Sequence, residues 1–172
     1  MLIHRKSGLG VLVLLVAASV CSGEDAVPDK FYKMVFVVKQ TDGAKVLNSR
    51  SYTTIVSEAN NKAEIRAGSK VPYVSETSPG QGQTVYQQID IGVGIDVIRV
   101  KEVGDKLSFF LTVDISSIAG TDSSVSKNPI VRQDKWATPI LMPFKKPTMV
   151  LTSDDADAKT QMQIEITATP LL

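Results

Sequence analysis

The chain has 172 residues, with 19 Lys and Arg against 18 Asp and Glu, one His and one Cys. Such a near-neutral balance, with no basic run longer than Lys145-Lys146, excludes the electrostatic footprint of a nucleic-acid partner. A single cysteine likewise excludes an internal disulfide framework.

At the N-terminus, Arg5 and Lys6 precede an apolar run from Leu9 to Val20, too short to cross a bilayer, which takes about 20 residues. Small residues follow, so the pattern predicts a secretory signal peptide over 1–23 with cleavage after Gly23. The alternative is an outer-membrane lipoprotein acylated on Cys21, disfavoured by the bulk of Val20 just before it. Cleavage removes His4 and Cys21, the only imidazole and the only thiol, so residues 24–172 can build neither a Ser-His-Asp nor a Cys-His arrangement. A zinc site on imidazole or thiolate is excluded as well. Arg5 and Lys6 leave with the leader, so 17 basic residues face 18 acidic ones, a net charge of −1. The rest is enough chain for one domain with a real core.

Residues 24–30 read as a flexible polar lead containing Pro28, and 31–172 as a single β-domain. Phe31 to Gln40 is rich in β-branched and aromatic residues and apolar on both faces in its middle, a buried strand. Asp42-Gly43 gives hairpin turn chemistry, with Lys45 to Ser57 returning. After a turn at Asn60-Asn61-Lys62, a short strand is expected over Ala63 to Ala67, then a turn at Gly68-Ser69. Pro72 confines the next piece to a sheet edge or strand end. Ser75 to Gln83 carries no apolar residue and reads as an exposed loop.

From Val85 to Val97 the odd positions are apolar except Gln87, and the even ones are Tyr86, Gln88, Asp90, Gly92, Gly94 and Asp96. This period of two predicts a strand with one face in the core and one in water. The apolar positions then shift to Ile98 and Val100, which predicts a bulge near Ile98 and Arg99. Past a turn at Gly104-Asp105, Leu107, Phe109, Leu111, Val113 and Ile115 line one face of a second long strand, completing a large antiparallel hairpin. Gly120 to Asn128 is another polar loop; Pro129 to Met142, Thr148 to Thr152 and Lys159 to Thr169 read as strands. No segment has sustained helical spacing. The chain therefore reads as all-β, an antiparallel β-sandwich or curled sheet of about eight strands around a long central hairpin.

The run Ala63 to Pro72, with Gly68 and Pro72 in a G-x-x-x-P step, leads through a polar loop to Tyr86-Gln87-Gln88-Ile89-Asp90-Ile91-Gly92-Val93-Gly94-Ile95-Asp96-Val97. These residues resemble the β-rich core of the bacterial secretins, the outer-membrane ring proteins of type II and type III secretion and type IV pilus systems. Leu107 to Ser117 is similar to the next strand of that family, and Arg132 followed by Thr138 to its next block. The chain also resembles small stand-alone exported proteins of acidobacteria. Lys146 to Asp155 stands where secretins carry a Gly-Gly step and a gate segment rich in Pro, Leu and Gly. The resemblance implies an exported, non-catalytic protein of the periplasm or cell envelope with a structural or protein-binding role. Its alternative is an oligomeric outer-membrane pore component. Envelope or secretion-system proteins are the implied partners. Membrane association would come through a lipidated Cys21 or oligomeric insertion.

Asp90 and Asp96 lie six residues apart on one strand face, about 20 Å. A glycosidase pair needs roughly 5 to 9.5 Å, which leaves Asp90 with Asp114 as the remaining carboxylate pairing. Asp154-Asp155-Ala156-Asp157 offers hard oxygen ligands but lacks the glycine turn and terminal glutamate of an EF-hand loop. Accordingly no catalytic, cofactor-binding or metal site is assigned, and no cofactor is expected. The candidate protein contacts are Gly92 and Gly94, where a backbone or ligand could approach, their neighbours Asp90 and Asp96, and Trp136 as an interface anchor.

Overall fold

The structure, a computed structural model, describes residues 28–77, 84–120, 129–154 and 159–171. The expected signal peptide with Cys21, most of the Ser75 to Gln83 loop, the loop before Pro129 and Asp155 to Asp157 lie outside the described residues. Eight strands make up nearly all of the rest: β1 (Phe31–Asp42), β2 (Lys45–Ser57), β3 (Lys62–Thr77), β4 (Thr84–Val103), β5 (Lys106–Gly120), β6 (Ile130–Pro143), β7 (Thr148–Asp154) and β8 (Thr160–Leu171). They form two four-stranded antiparallel sheets, sheet A in the order β2-β1-β8-β7 and sheet B in the order β3-β4-β5-β6. The fold is the expected all-β sandwich with a long central hairpin, β4 and β5.

The inward residues of each strand follow the period of two and fill the space between the sheets. Met34, Phe36, Val56, Ile164, Ile166 and Ala168 come from sheet A; Ile95, Val97, Leu107, Leu111, Val113 and Met142 come from sheet B. Each side chain of leucine size removed from water in this way contributes about 2 kcal/mol. Between the layers β2 lies nearest β3 and β6 nearest β7, so each pair of sheet edges runs along one flank of the sandwich.

The crossover from β2 to β3 fixes the position of β4. Asn61, in the left-handed region at φ 52°, accepts the Arg99 amide on its carbonyl at 3.1 Å and the Val100 amide on its side-chain oxygen. These bonds occupy donors freed where the β4–β5 register shifts between Ile98 and Lys101, the bulge expected from the sequence. Arg99, itself at φ 58°, turns its guanidinium over the Phe110 ring, 5.9 Å from the centroid. A two-residue turn of Gly104 and Asp105 then joins β4 to β5, with Gly104 supplying φ 62°.

At the same end of the sandwich, Tyr32 of β1 is buried with its ring stacked on Phe144 at 5.7 Å. Its hydroxyl lies 2.9 Å from Glu58 Oε1 and 3.0 Å from Glu102 Oε2, while Lys30 Nζ donates to Glu102 Oε2 at 2.8 Å. The Glu102 amide donates to Glu58 Oε1 at 2.6 Å. This cluster ties the start of sheet A to the β4–β5 end of sheet B. Within the polar lead, Asp29 accepts the Ala59 amide at 3.0 Å and the Lys30 carbonyl accepts that of Glu58 at 3.1 Å.

Two expectations are corrected. Gly68-Ser69 is not a turn, because β3 runs unbroken from Lys62 to Thr77 with Gly68 directly opposite Gly92 of β4. Two facing glycines let the backbones close up instead of reversing the chain. Pro72 is accommodated because β3 is an edge strand, as expected. Secondly, the apolar face of β4 reaches the core only from Val93 onward; Val85 is 46 % exposed, and Ile89 and Ile91 are half-buried. The reason is topological: β4 pairs with β5 only from Gly92 to Val103, so residues 84–91 and their β3 partners form a two-stranded ribbon beyond the rest of sheet B.

Candidate contact surface on sheet B

The ribbon leaves the sheet at Gly92, and the reason is local. With φ at 141°, Gly92 occupies backbone space that side chains rarely permit, and an added Cβ would sit 2.2 Å from the Ala67 carbonyl oxygen and 2.4 Å from the Gly68 Cα. A Cβ on Gly68 would meet the Ile91 oxygen at 2.1 Å. The close approach anticipated at Gly92 is therefore that of β3, made within the chain. On its other side Gly92 is the last β4 residue paired with β5, and there its amide donates to the hydroxyl of Ser116 at 3.1 Å. Ser116 Oγ in turn donates to the Asp90 carbonyl at 3.5 Å, so one side chain replaces the ladder where the strands part.

Around this fork the outward face of sheet B forms an open groove of about 720 Å³. Gly68, Gly92 and Gly94 make its floor, and charged side chains stand on both sides. Arg66 pairs with Asp96 at 2.7 Å and Lys70 with Asp90 at 3.1 Å, both across the β3–β4 ladder. The carboxylate of Asp96 beside it, and less strongly those of Glu64 and Asp114, hold the Arg66 guanidinium further above its ordinary pKa. Asp114 takes Gln133 Nε2 on both oxygens, at 2.9 and 2.8 Å. Gly94, by contrast, has only ordinary contacts at 3.7 Å to Arg66 Nη1 and Asp114 Cβ. Because Arg66 is more than half exposed and Asp96 still reaches solvent, Asp96→Asn is expected to change stability by less than about 1 kcal/mol, checked by urea denaturation.

Asp90, Gly92, Gly94 and Asp96 thus share one surface. Trp136 does not: it pairs with Val113, packs half-buried against the core, and lies on the opposite face of β6. Asp90 is not opposed to Asp114, whose cross-strand partner is Gly94, so the remaining carboxylate pairing does not form a facing pair. Among the described residues no three His, Cys, Asp or Glu converge to hold a metal ion. The groove also contains Gly68, Arg66, Lys70, Ser116 and Lys135, which sequence patterning alone did not select. Their signal is the cross-strand register: Gly68 opposite Gly92 places Arg66 and Lys70, Ser116 opposite Gly92 places β5, and Lys135 opposite Asp114 places β6 on the same face.

No family model matches the sequence, and no curated protein matches it significantly. Solved structures do match by shape. InvG, the secretin of the Salmonella SPI-1 type III secretion injectisome, superposes with a TM-score of 0.51 at 12 % identity over 84 % of this chain. The InvG secretin domain β-barrel of the injectisome NC-base gives 0.50 at 10 % identity, and Aeromonas hydrophila ExeD gives 0.51 at 8 %. The chain has a secretin-like β-domain fold. This secretin-like domain spans 64 % and 62 % of the two InvG chains and 48 % of ExeD, so it corresponds to less than two thirds of each. At these identities the likeness is one of fold; it assigns no role to the groove.

Proposed function

We propose that the chain is an exported, non-catalytic protein of the cell envelope whose secretin-like domain has a structural or protein-binding role. The observation that carries this reading is the secretin-like fold, matched over more than four fifths of the chain. The sequence adds the signal-peptide pattern over 1–23 and, from residue 24 onward, the lack of any His or Cys. Envelope and secretion-system proteins are the partners to test first, since InvG occurs with PrgH and PrgK in the basal body of the Salmonella injectisome. The groove residues Asp90, Gly92, Gly94 and Asp96 are candidate contacts, and Trp136 a candidate only where the sandwich opens.

The expected result is release of a monomer of the mature chain by osmotic shock, with Glu24 as its first residue by mass spectrometry. A diacylglyceryl group on Cys21 would replace this with the lipoprotein form. A second reading, a subunit of an outer-membrane pore, is favoured by the length of β3 and β4, 16 and 20 residues against the roughly ten that a membrane strand needs. A heat-resistant multimer in detergent extracts of the outer membrane would select it over the monomeric form.

A further inference from the structure

The edges of the two sheets differ in how they are guarded. An edge strand exposes a row of unpaired backbone donors and acceptors, and proteins blunt such rows with proline, bulges, shortness or charge. Sheet B carries Pro72 within β3 and Pro139 within β6, each deleting a donor. On sheet A, β7 has only seven residues and a register break between Met149 and Leu151. β2 has no proline, bulge or shortness over Asn48 to Ser57, where its pairing with β1 runs without interruption, and its one charge there is Arg50. Every residue from Lys45 to Ser51 is exposed, and Ile55 is 58 % exposed.

Its charge is equally one-sided. β2 bears Lys45 and Arg50 and no acidic residue. The cations of the neighbouring edge strand β3 are compensated: Lys62 with Glu64, Arg66 with Asp96 and Lys70 with Asp90. Neither Lys45 nor Arg50 is in any of the ion pairs among the described residues. A second copy of β2 laid against this edge around Arg50 would oppose like charges, which destabilises a cross-strand pair. An acidic strand would gain where the copy loses.

We propose that the free edge of β2 is a docking site for an extended, acidic segment of a partner protein, which adds to sheet A as a fifth strand beside Asn48 to Ile55. Main-chain bonds would supply affinity, and a carboxylate opposite Arg50 would set the register. The inference rests on the protein-binding reading above and names its site and the chemistry of its partner.

Amide hydrogen exchange on the purified protein tests it, using two synthetic ten-residue peptides of alternating Thr and Val that carry either two Asp or two Lys at the same positions. The Asp peptide is expected to slow exchange across β2, and the Lys peptide to leave it unchanged. Arg50→Glu, on an exposed side chain that folding does not need, should weaken the Asp peptide about tenfold and favour the Lys peptide. Protection by the Asp peptide at β3, β6 or the glycine groove would overturn the β2 assignment while leaving protein binding intact. Absence of protection in a monomer rejects edge docking and leaves the envelope reading to its own fractionation test. β2 amides already protected in a multimer would instead place a second copy there and defeat both.

Discussion

Replacing Gly92 with alanine is expected to cost about 3 kcal/mol of folding stability, the sum of backbone strain and overpacking, and to lower the thermal midpoint by roughly 10 °C. Two independent features set this magnitude. The φ of 141° is unfavourable for any side chain, and the added methyl would sit 2.2 Å from the Ala67 oxygen and 2.4 Å from the Gly68 Cα. Both obstacles are backbone, so no rotamer change relieves them; the ribbon must move away from β3. Gly94→Ala is the control, since its methyl would meet only atoms at 3.7 Å or beyond and should change stability by less than about 0.5 kcal/mol. Thermal unfolding of both variants is the measurement. Equal midpoints would mean that β3 and β4 do not approach as closely as described.

The facing glycines should also couple. A methyl on Gly68 meets the Ile91 oxygen at 2.1 Å, on the same seam between the two backbones. Once one alanine has spread the strands, the second has less to displace. The double variant Gly68→Ala with Gly92→Ala is therefore expected to lose less than the two single losses combined, a coupling typical of residues in contact.

What could be read from the sequence follows from what is local. Alternation from Leu107 to Ile115 and from Met162 to Ala168 places buried side chains correctly, because a strand's period of two depends on the residue and its immediate neighbours alone. The bulge at Arg99 was legible for the same reason, as a slip in that period. The misreading of Gly68-Ser69 has a different origin: Gly-Ser is turn chemistry in isolation, and only the long-range pairing of Gly68 with Gly92 makes it a strand. Likewise, Val85, Ile89 and Ile91 continue the apolar pattern, but the length over which β5 accompanies β4 decides how much of that pattern is covered. The groove shows both effects. Its β4 residues were visible in one stretch of chain, whereas Arg66, Ser116 and Lys135 join them only through register.

The largest expected effect lies at the other end of the sandwich, in Tyr32. Tyr32→Ala should cost about 4 kcal/mol, because it empties a fully buried site and removes the stack on Phe144. Tyr32→Phe keeps the ring and isolates the hydroxyl, at an expected cost of about 2 kcal/mol for losing a donor to ionised groups. Burial, then the hydrogen bonds to Glu58 and Glu102, push the phenol pKa far above its ordinary value, so the proton stays in place. One phenol proton serves one carboxylate at a time, and Lys30 supplies the positive charge that lets Glu58 and Glu102 share this hydroxyl. The Glu102 carboxyl is accordingly held below the usual range, chiefly by Lys30 and next by Tyr32. Since its folded pKa lies below its unfolded one, Glu102 adds stability above the ordinary carboxylate pKa and loses it as pH falls through the folded value. Lys30→Met raises the folded value and should move the acid loss of stability to higher pH. Urea midpoints measured from pH 7 to pH 3 on the wild type and the variant check this. Superimposable acid limbs would mean that Lys30 does not neutralise the pair, and the clamp between the sheets would then rest on the Tyr32 ring alone.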